Sequence, residues 1–186
     1  LDRDGVINYE SDEYIKSPDE WIAIPGSLEA IAKLNQAGFI IAVATNQSGI
    51  GRKLYSEKTL HLIHEKIQNE LKIVGGHIDK IFYCPHTADD HCDCRKPKTG
   101  LLEQIAAEYK VSLENIPFIG DSLRDLQAAK KMGCKAILVR TGNGEALLKQ
   151  QTPLKDVLVF DDLAAVANAI IQQKFKIPSP LVGQIR

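Results

Sequence analysis

Two acidic residues near the start of the chain are spaced for catalysis. Asp2 and Asp4 occur in the segment LDRDG, separated by one residue. Because side chains of an extended segment alternate in direction, both carboxylates can face one pocket while Arg3 points away. One carboxylate could attack phosphorus and form an aspartyl phosphate, and the other could protonate the leaving alcohol and later deprotonate water. An Asp-x-Asp pair is also common on solvated loops, so this pair alone does not establish an enzyme.

A third acid suited to the same chemistry, Asp121, lies in the segment GDS. Mg²⁺ prefers oxygen ligands and can bridge carboxylates and a substrate phosphate. We therefore expect a magnesium site that combines Asp2, Asp4 and Asp121, with a backbone carbonyl among its ligands. Taken alone, GDS is more often a turn that caps a helix.

Polar groups that could hold a phosphoryl group follow in the segments TNQSGIGRK and CRKP. The Thr45 hydroxyl and the Lys96 ammonium could bind phosphoryl oxygens, assisted by backbone N–H groups of residues 45–49. Each segment alone has an ordinary alternative, since an isolated lysine is more often a surface residue. The further candidate substrate-binding residues are Asn46, Gln47, Ser48, Arg52, Arg95 and Ser122.

Four potential soft metal ligands are grouped in the segment CPHTADDHCDC. They are Cys84, His86, Cys92 and Cys94. A set of four such ligands suits tetrahedral zinc, and a closed set leaves no position for a reacting water. Disulfides are the alternative, but a bond between the last two cysteines would be strained, and any pairing leaves one thiol over. We expect a structural zinc site that fixes Arg95 and Lys96 beside the phosphate site.

Short apolar, β-branched segments alternate with helical patterns along the chain. This alternation predicts a doubly wound α/β fold, in which a parallel sheet carries crossover helices on both faces. We also expect the chain to begin partway through its first strand. The predicted strands are 39–45, 78–84, 117–121, 136–140 and 157–160. The predicted helices are 27–37, 56–71, 100–109, 123–132 and 163–173.

The predicted order of elements places the polar segments together. Ligands of open parallel sheets bind beyond the carboxyl ends of the strands. DRDG, TNQSG and GDS each follow a strand, and RKP lies just before a helix. We therefore expect these four segments to meet at one edge of the sheet, and their joint occurrence argues against separate solvated loops.

The composition is that of an ordinary globular domain of 186 residues with a formal net charge of −1. This balance argues against a general nucleic-acid or membrane-surface binder, and the longest apolar run, 39–44, is far shorter than the roughly 20 residues of a membrane span. The four cysteines and the absence of a visible signal peptide favour a reducing, cytoplasmic setting. No apolar stripe suited to subunit association is evident between the motifs, so we expect a monomer.

Together the motifs LDRDGVIN, TNQSGIGR, CPHx5CxCRKP, GDS and LVRTG resemble those of the haloacid dehalogenase-like (HAD) phosphohydrolases. The resemblance covers at least residues 1–142 and extends through the helix that ends near Gln173. It implies a Rossmann-like fold with a minimal cap. The implied phosphatase domain is 1–174, with its zinc loop at 84–94 and a C-terminal tail at 175–186.

The resemblance also implies a role for each motif residue. Asp2 becomes the nucleophile and Asp4 the acid/base, whereas Ser122 departs from the lysine that some members carry there. The other implied roles are phosphoryl stabilisation by Thr45 and Lys96, substrate recognition by Arg95, and magnesium binding by Asp121.

A small sugar bisphosphate is the substrate that the resemblance favours. Arg52 and Lys53 add cations that suit two phosphates, although a solvated loop is the ordinary explanation for them. Histidinol phosphate, from a related branch with the same short metal-ligand spacing, remains the alternative, but Ser48 offers no acid for its amine. A phospho-receiver domain lacks the zinc loop, and a protein-binding zinc module would leave DRDG, TNQ and GDS without a role.

Overall fold

The computed structural model describes residues 1–150 and 154–174, in which strands and helices alternate in the predicted order. The strands are β1 (Ala42–Asn46), β2 (Lys80–Cys84), β3 (Pro117–Gly120), β4 (Lys135–Val139) and β5 (Leu158–Phe160). The helices are α1 (Ser27–Gln36), α2 (Glu57–Ile73), α3 (Gly100–Tyr109), α4 (Leu123–Lys131), α5 (Gly144–Lys149) and α6 (Leu163–Ile171), with a 3₁₀ helix at Pro18–Glu20.

Residues 1–2 join two groups of paired strands into one parallel sheet. β1 pairs with β2, and β4 lies between β3 and β5. The Ala44 N–H donates to Leu1 O and the Asp2 N–H donates to Ile119 O, each at 2.8 Å. Residues 1–2 therefore occupy a central strand position between β1 and β3, and the carboxyl end of this position leads directly into Arg3.

Helices cover both faces of this sheet. Along β4, Ile137 and Val139 join the hydrophobic cluster formed with α1, α2 and α6. The alternate residues Ala136 and Leu138 join a second cluster with α3 and α4. Because side chains of a strand alternate between the two faces, the two helix groups lie on opposite sides. The predicted doubly wound α/β fold is confirmed.

The amphipathic stripe of α2 is part of the core. Leu60, Ile63, Ile67 and Leu71 are each 0% exposed. Burying such a side chain contributes about 2 kcal/mol, so this helix is fixed mainly by its packing. Ser56 caps its N-terminus, since the Ser56 hydroxyl accepts a hydrogen bond from the Thr59 N–H at 3.1 Å.

The predicted elements differ from the observed ones mainly at their ends. β1 begins at Ala42 rather than at residue 39, because the Phe39 N–H donates to Leu34 O at the end of α1. The Ile41 N–H donates to the Asp79 side chain instead of to a strand. The short helix α5 was not predicted.

The connection between residue 5 and α1 contains only the 3₁₀ helix as a regular helix or strand, which agrees with a minimal cap. No helix among the described residues is long and apolar enough to cross a membrane. The predicted tail, 175–186, lies outside the described residues, so the division into a domain at 1–174 and a tail stays a prediction.

Candidate active site

Asp2, at the carboxyl end of a central strand position, lies against Lys96, which belongs to the connection between β2 and α3. Asp2 Oδ1 accepts a hydrogen bond from the Arg3 backbone N–H at 2.7 Å and lies 2.8 Å from Lys96 Nζ. Asp2 is 9% exposed. These contacts place a fixed carboxylate at the sheet edge where ligands of parallel sheets bind.

Lys96 is a buried cation and not a surface lysine, with an exposed fraction of only 2%. Its Nζ donates to Ala44 O at 2.8 Å and lies 2.6 Å from Asp125 Oδ1, in addition to its contact with Asp2. Burial alone would lower the pKa of Lys96, but the Asp125 and Asp2 carboxylates raise it above its ordinary value. Lys96 therefore stays charged.

Three carboxylates meet beside this lysine. Ligand oxygens of Asp2, Asp121 and Asp125 lie within 4.8 Å of one another. Burial, followed by the charge of Asp125, raises the pKa of Asp2 to about 8. Burial likewise raises the pKa of Asp121 to about 7, against the opposing hydrogen bond from the Asn143 N–H. One lysine does not balance the charge of three buried carboxylates, so their oxygens fit a divalent cation such as Mg²⁺.

Asp125 is the carboxylate of this group that lies nearest to the Lys96 ammonium, at 2.6 Å compared with 2.8 Å for Asp2. Burial alone would raise its pKa, but the Lys96 charge holds the pKa of Asp125 below its usual value. Asp125 Oδ2 also accepts hydrogen bonds from the Ser122 hydroxyl and from the Ser122 N–H, and the bond from the N–H is part of a capping box at the start of α4. The hydroxyl of Ser122, a predicted substrate contact, is thus bonded within the protein.

Asp121 is held by the loop that precedes α5. Its Oδ2 accepts hydrogen bonds from the Asn143 backbone N–H at 2.7 Å and from Asn143 Nδ2 at 3.2 Å. Gly5 and Gly142 pack against this carboxylate, both with positive φ angles, and a Cβ atom at either position would overlap Asp121 Oδ2. Glycine is therefore required on both sides of the acid.

Asp4 lies in a separate ion-pair network. Its Oδ1 lies 2.7 Å from Arg3 Nη2 and accepts a hydrogen bond from Asn8 Nδ2 at 2.9 Å. Burial alone would raise the pKa of Asp4, but Arg3 holds it below its usual value. The expectation that Arg3 points away is wrong, because its 1% exposed side chain binds this carboxylate. The group of three carboxylates does not include the Asp4 side chain, although the predicted magnesium set did.

The TNQS segment is largely bonded within the protein. Gln47 Nε2 donates to Asp4 Oδ2 and to Thr45 Oγ1, each at 2.8 Å. Gln47 Oε1 accepts a hydrogen bond from the Tyr55 hydroxyl at 2.7 Å. Asn46 bonds the backbone of Lys96 through both ends of its amide. Thr45 is buried at the same edge as Asp2, and Ser48 is 9% exposed.

Two predicted cations lie nearer the surface. Arg52 is exposed, whereas Arg95 is half-buried and donates from Nη1 to His86 O at 3.3 Å. Neither forms an ion pair with a carboxylate of the residues that the structure describes. Both are therefore available to an anionic ligand.

The four predicted zinc ligands converge. Cys94 Sγ lies 3.1 Å from Cys84 Sγ, 3.5 Å from Cys92 Sγ and 3.3 Å from His86 Nδ1. All three cysteines are free thiols, so the disulfide alternative is not observed. Tetrahedral ligands at about 2.3 Å from zinc lie roughly 3.8 Å apart, close to these separations. The cluster fits a zinc ion with four protein ligands.

Sequence reasoning did not identify several residues that contribute to the site. Asp125 could have been recognised from the sequence, because Ser122 and Asp125 have the spacing of a capping box. Arg3 was assigned the wrong direction. Asn143 bridges Asp121 and Glu10, and its contact with Glu10 joins residues 133 positions apart, which no local spacing reveals.

Comparison with known proteins agrees with this geometry. A family model described as HAD-hydrolase-like matches residues 93–166. A D-glycero-beta-D-manno-heptose-1,7-bisphosphate 7-phosphatase from Pseudomonas aeruginosa is 54% identical over 172 residues, which are 92% of this chain and 96% of that protein. The chain belongs to the heptose-bisphosphate phosphatase family of HAD-like hydrolases.

Other members of the heptose-bisphosphate phosphatase family support the assignment. The phosphatase of Neisseria meningitidis serogroup B is 46% identical over 176 residues, or 93% of this chain and 94% of that protein. A crystal structure of the D,D-heptose 1,7-bisphosphate phosphatase from B. bronchiseptica, complexed with magnesium and phosphate, has a TM-score of 0.90 and 52% identity, and covers 92% of this chain and 96% of that one. The predicted resemblance to HAD phosphohydrolases is confirmed.

Proposed function

We propose that this protein hydrolyses the C7 phosphate of D-glycero-β-D-manno-heptose 1,7-bisphosphate and releases heptose 1-phosphate. The observation that carries the proposal is the contact of buried Asp2 with Lys96 beside two further carboxylates, in a chain 54% identical to a phosphatase of that name. This reaction would supply ADP-heptose for the lipopolysaccharide core.

In the first half-reaction Asp2 acts as the nucleophile. A carboxylate oxygen of Asp2 bonds to phosphorus, the bond between phosphorus and the C7 oxygen breaks, and the Asp4 carboxyl gives its proton to that oxygen. Because its ion pair with Arg3 favours the charged form, Asp4 must leave Arg3 to carry this proton. Lys96, Thr45 and the backbone N–H groups of 48–49 hold the phosphoryl oxygens, whereas the Gln47 N–H is already bonded to Cys84 O.

In the second half-reaction a water molecule replaces Asp2 on phosphorus. Asp4, now a carboxylate, takes a proton from the attacking water while the bond between Asp2 and phosphorus breaks. The products are inorganic phosphate, the free Asp2 carboxylate and protonated Asp4, so the catalytic groups return to their starting forms.

Asp2 and Asp121 would hold the catalytic Mg²⁺, together with the backbone carbonyl expected from the sequence. When bound, this cation offsets the clustered carboxylate charge and polarises the phosphoryl group. Asp125 supports the site through Lys96, to which it is already paired.

Arg95 and Arg52 would recognise the second phosphate of the substrate. Neither is paired with a carboxylate among the described residues, and a bisphosphate carries more charge than Lys96 alone can balance. Structural Zn²⁺, held by Cys84, His86, Cys92 and Cys94, would keep the loop bearing Arg95 in place. The remaining predicted contacts, Asn46, Gln47, Ser48 and Ser122, line the same region, although the amides and the Ser122 hydroxyl bond within the protein.

A comparison of two substrates tests this proposal. We expect kcat/KM for heptose 1,7-bisphosphate to exceed that for histidinol phosphate by at least about 100-fold, because histidinol phosphate lacks a second phosphate for the free arginines and brings an amine without an acidic partner. A preference for histidinol phosphate would assign the chain to the alternative activity.

A further inference from the structure

Asn46 directs both ends of its side-chain amide to the backbone of one residue. Asn46 Nδ2 donates to Lys96 O at 3.1 Å, and Asn46 Oδ1 accepts from the Lys96 N–H at 3.0 Å, across a separation of 50 residues. We propose that Asn46 is a positioning residue that holds the main chain of Lys96, and that its amide does not bind the substrate. This inference rests on the proposed function for the role of Lys96 in catalysis.

The pair of hydrogen bonds restricts the Lys96 backbone more than a single hydrogen bond could. An amide that bonds both the N–H and the C=O of one residue imitates a neighbouring strand, and so restricts the backbone in position and in orientation. Lysine has a long, flexible side chain, so the position of its main chain decides where Nζ can reach. Here Lys96 Nζ must meet Asp2, Asp125 and Ala44 O at 2.6–2.8 Å.

The end of β1 anchors both ends of the segment that carries the zinc ligands. At the entry, the Gln47 N–H donates to Cys84 O at 2.7 Å and the Gly51 N–H donates to Pro85 O at 2.9 Å. At the exit, the Asn46 side chain holds Lys96. The first anchor uses backbone N–H groups, whereas the second depends on the asparagine side chain itself.

The two adjacent cations consequently have different supports. Arg95 bonds His86 O, within the cluster of zinc ligands, whereas Lys96 is attached to β1 through Asn46 and Ala44 O. Asn46 therefore serves the phosphoryl-transfer step, and the zinc loop serves the recognition of substrate by Arg95.

The substitution Asn46→Ala tests this inference in the full-length protein. We expect kcat to fall roughly 10- to 100-fold with KM changed less than about threefold, since a displacement of about 1 Å at a catalytic group has an effect of that size. Backbone hydrogen exchange at Lys96 should become faster, because its N–H loses its acceptor, while the zinc content stays that of the wild type.

Asn35→Ala is the matched control. Asn35 also bonds two backbone groups, with Nδ2 donating to Phe39 O at 3.4 Å and Oδ1 accepting from the His77 N–H at 2.8 Å, but it lies far from the catalytic residues. We expect this variant to lose thermal stability without a change in kcat or in Lys96 exchange. If Asn46→Ala does not fold, Asn46→Ser, whose hydroxyl can keep one bond, is measured in the same way.

A raised KM with unchanged kcat and a still-protected Lys96 amide would assign Asn46 to substrate binding and overturn the proposal. Unchanged kcat with fast Lys96 exchange would also overturn it. If the wild type hydrolyses no heptose 1,7-bisphosphate, the proposed function fails, while the exchange measurement still decides whether Asn46 holds Lys96.

Discussion

At the scale of single residues, the environment of Asp2 explains why catalysis needs a cation. Lys96 is shared between Asp2 and Asp125, so one positive charge faces two buried carboxylates, with Asp121 nearby. Burial, followed by the charge of Asp125, raises the pKa of Asp2 to about 8, which disfavours the nucleophilic form at neutral pH. A divalent cation restores the charge balance and, with it, the reactive carboxylate.

Replacing Asp2 by asparagine should abolish turnover. The amide has nearly the shape of the acid but is not a nucleophile toward phosphorus, so we expect kcat to fall by roughly 10⁴-fold or more. Phosphate release from heptose 1,7-bisphosphate measures the effect, and thermal unfolding checks that Asp2→Asn is folded. Steady hydrolysis by a folded variant would contradict the aspartyl-phosphate route.

Replacing Asp4 by asparagine should slow both half-reactions. The amide can neither give a proton to the leaving oxygen nor take one from water, so each step should slow by about 10²- to 10⁴-fold. Single-turnover experiments with rapid quenching resolve the formation and the loss of the phosphoenzyme. Rates equal to those of the wild type would show that Asp4 serves only the ion pair with Arg3.

Residue types and spacing were enough to identify the aspartates at the carboxyl ends of strands. They did not reveal the hydrogen-bond and ion-pair partners of those aspartates. Asp2 and Thr45 meet because the carboxyl ends of parallel strands share one edge, and the connection from β2 to α3 brings Lys96 to the same edge. The ion pair of Arg3 with Asp4 was not predictable, since alternation along an extended segment ignores the turn that begins at Arg3. The role of Asn143 depends on contacts between distant loops.

At the scale of elements, the loop that we propose to bind zinc should affect substrate binding more than chemistry when the metal is removed. Removing zinc with a chelator and then restoring Mg²⁺ should raise KM about 10- to 100-fold, the effect of losing a charged hydrogen bond from Arg95 to substrate. The fall in kcat should be smaller, because Lys96 keeps its contacts with β1.

Arg95→Ala is the matched comparison for zinc removal. This variant should show the same rise in KM while it keeps its zinc, as measured by metal analysis. Normal KM values in the stripped protein would show that the loop holds its shape without the metal.

The elements that were predicted correctly are those with a strong internal pattern. The stripe of α2 repeats over four buried residues, and β4 is an apolar, β-branched run between polar residues. The helix α5 spans only Gly144–Lys149, too short for a periodic pattern, and it begins with a glycine. The late start of β1 depends on hydrogen bonds that involve α1 and Asp79, which are tertiary contacts.

At the scale of the whole molecule, the sheet gathers the active site from distant parts of the chain. Asp2, Lys96 and Asp121 lie on three separate segments, and one parallel sheet delivers them to one edge. A binding event at this edge therefore connects the N-terminal segment, β1 and β3, and should stabilise the entire fold. The expected monomer, cytoplasmic location and absence of nucleic-acid or membrane partners stay predictions.

Stabilisation by Mg²⁺ should increase with pH. The folded protein raises the pKa of Asp2 to about 8 and that of Asp121 to about 7, so both carboxyls are largely protonated at about pH 6, and the ion must displace their protons. At about pH 8.5 both are largely carboxylates, and this cost is small. We therefore expect Mg²⁺ to raise Tm more at about pH 8.5 than at about pH 6.

The difference in Tm with and without Mg²⁺ isolates this effect, because groups that titrate without touching the ion contribute equally to both measurements. His64 is one such group, since burial lowers its pKa to about 3 and it is not among the carboxylates that would hold the ion. Asp121→Asn is the matched variant: it removes one titrating ligand, so the increase in Tm should be smaller and should vary less with pH. An equal Mg²⁺ effect at both pH values in the wild type would mean that the ion binds away from Asp2 and Asp121, and the proposed catalytic centre would then lose its metal.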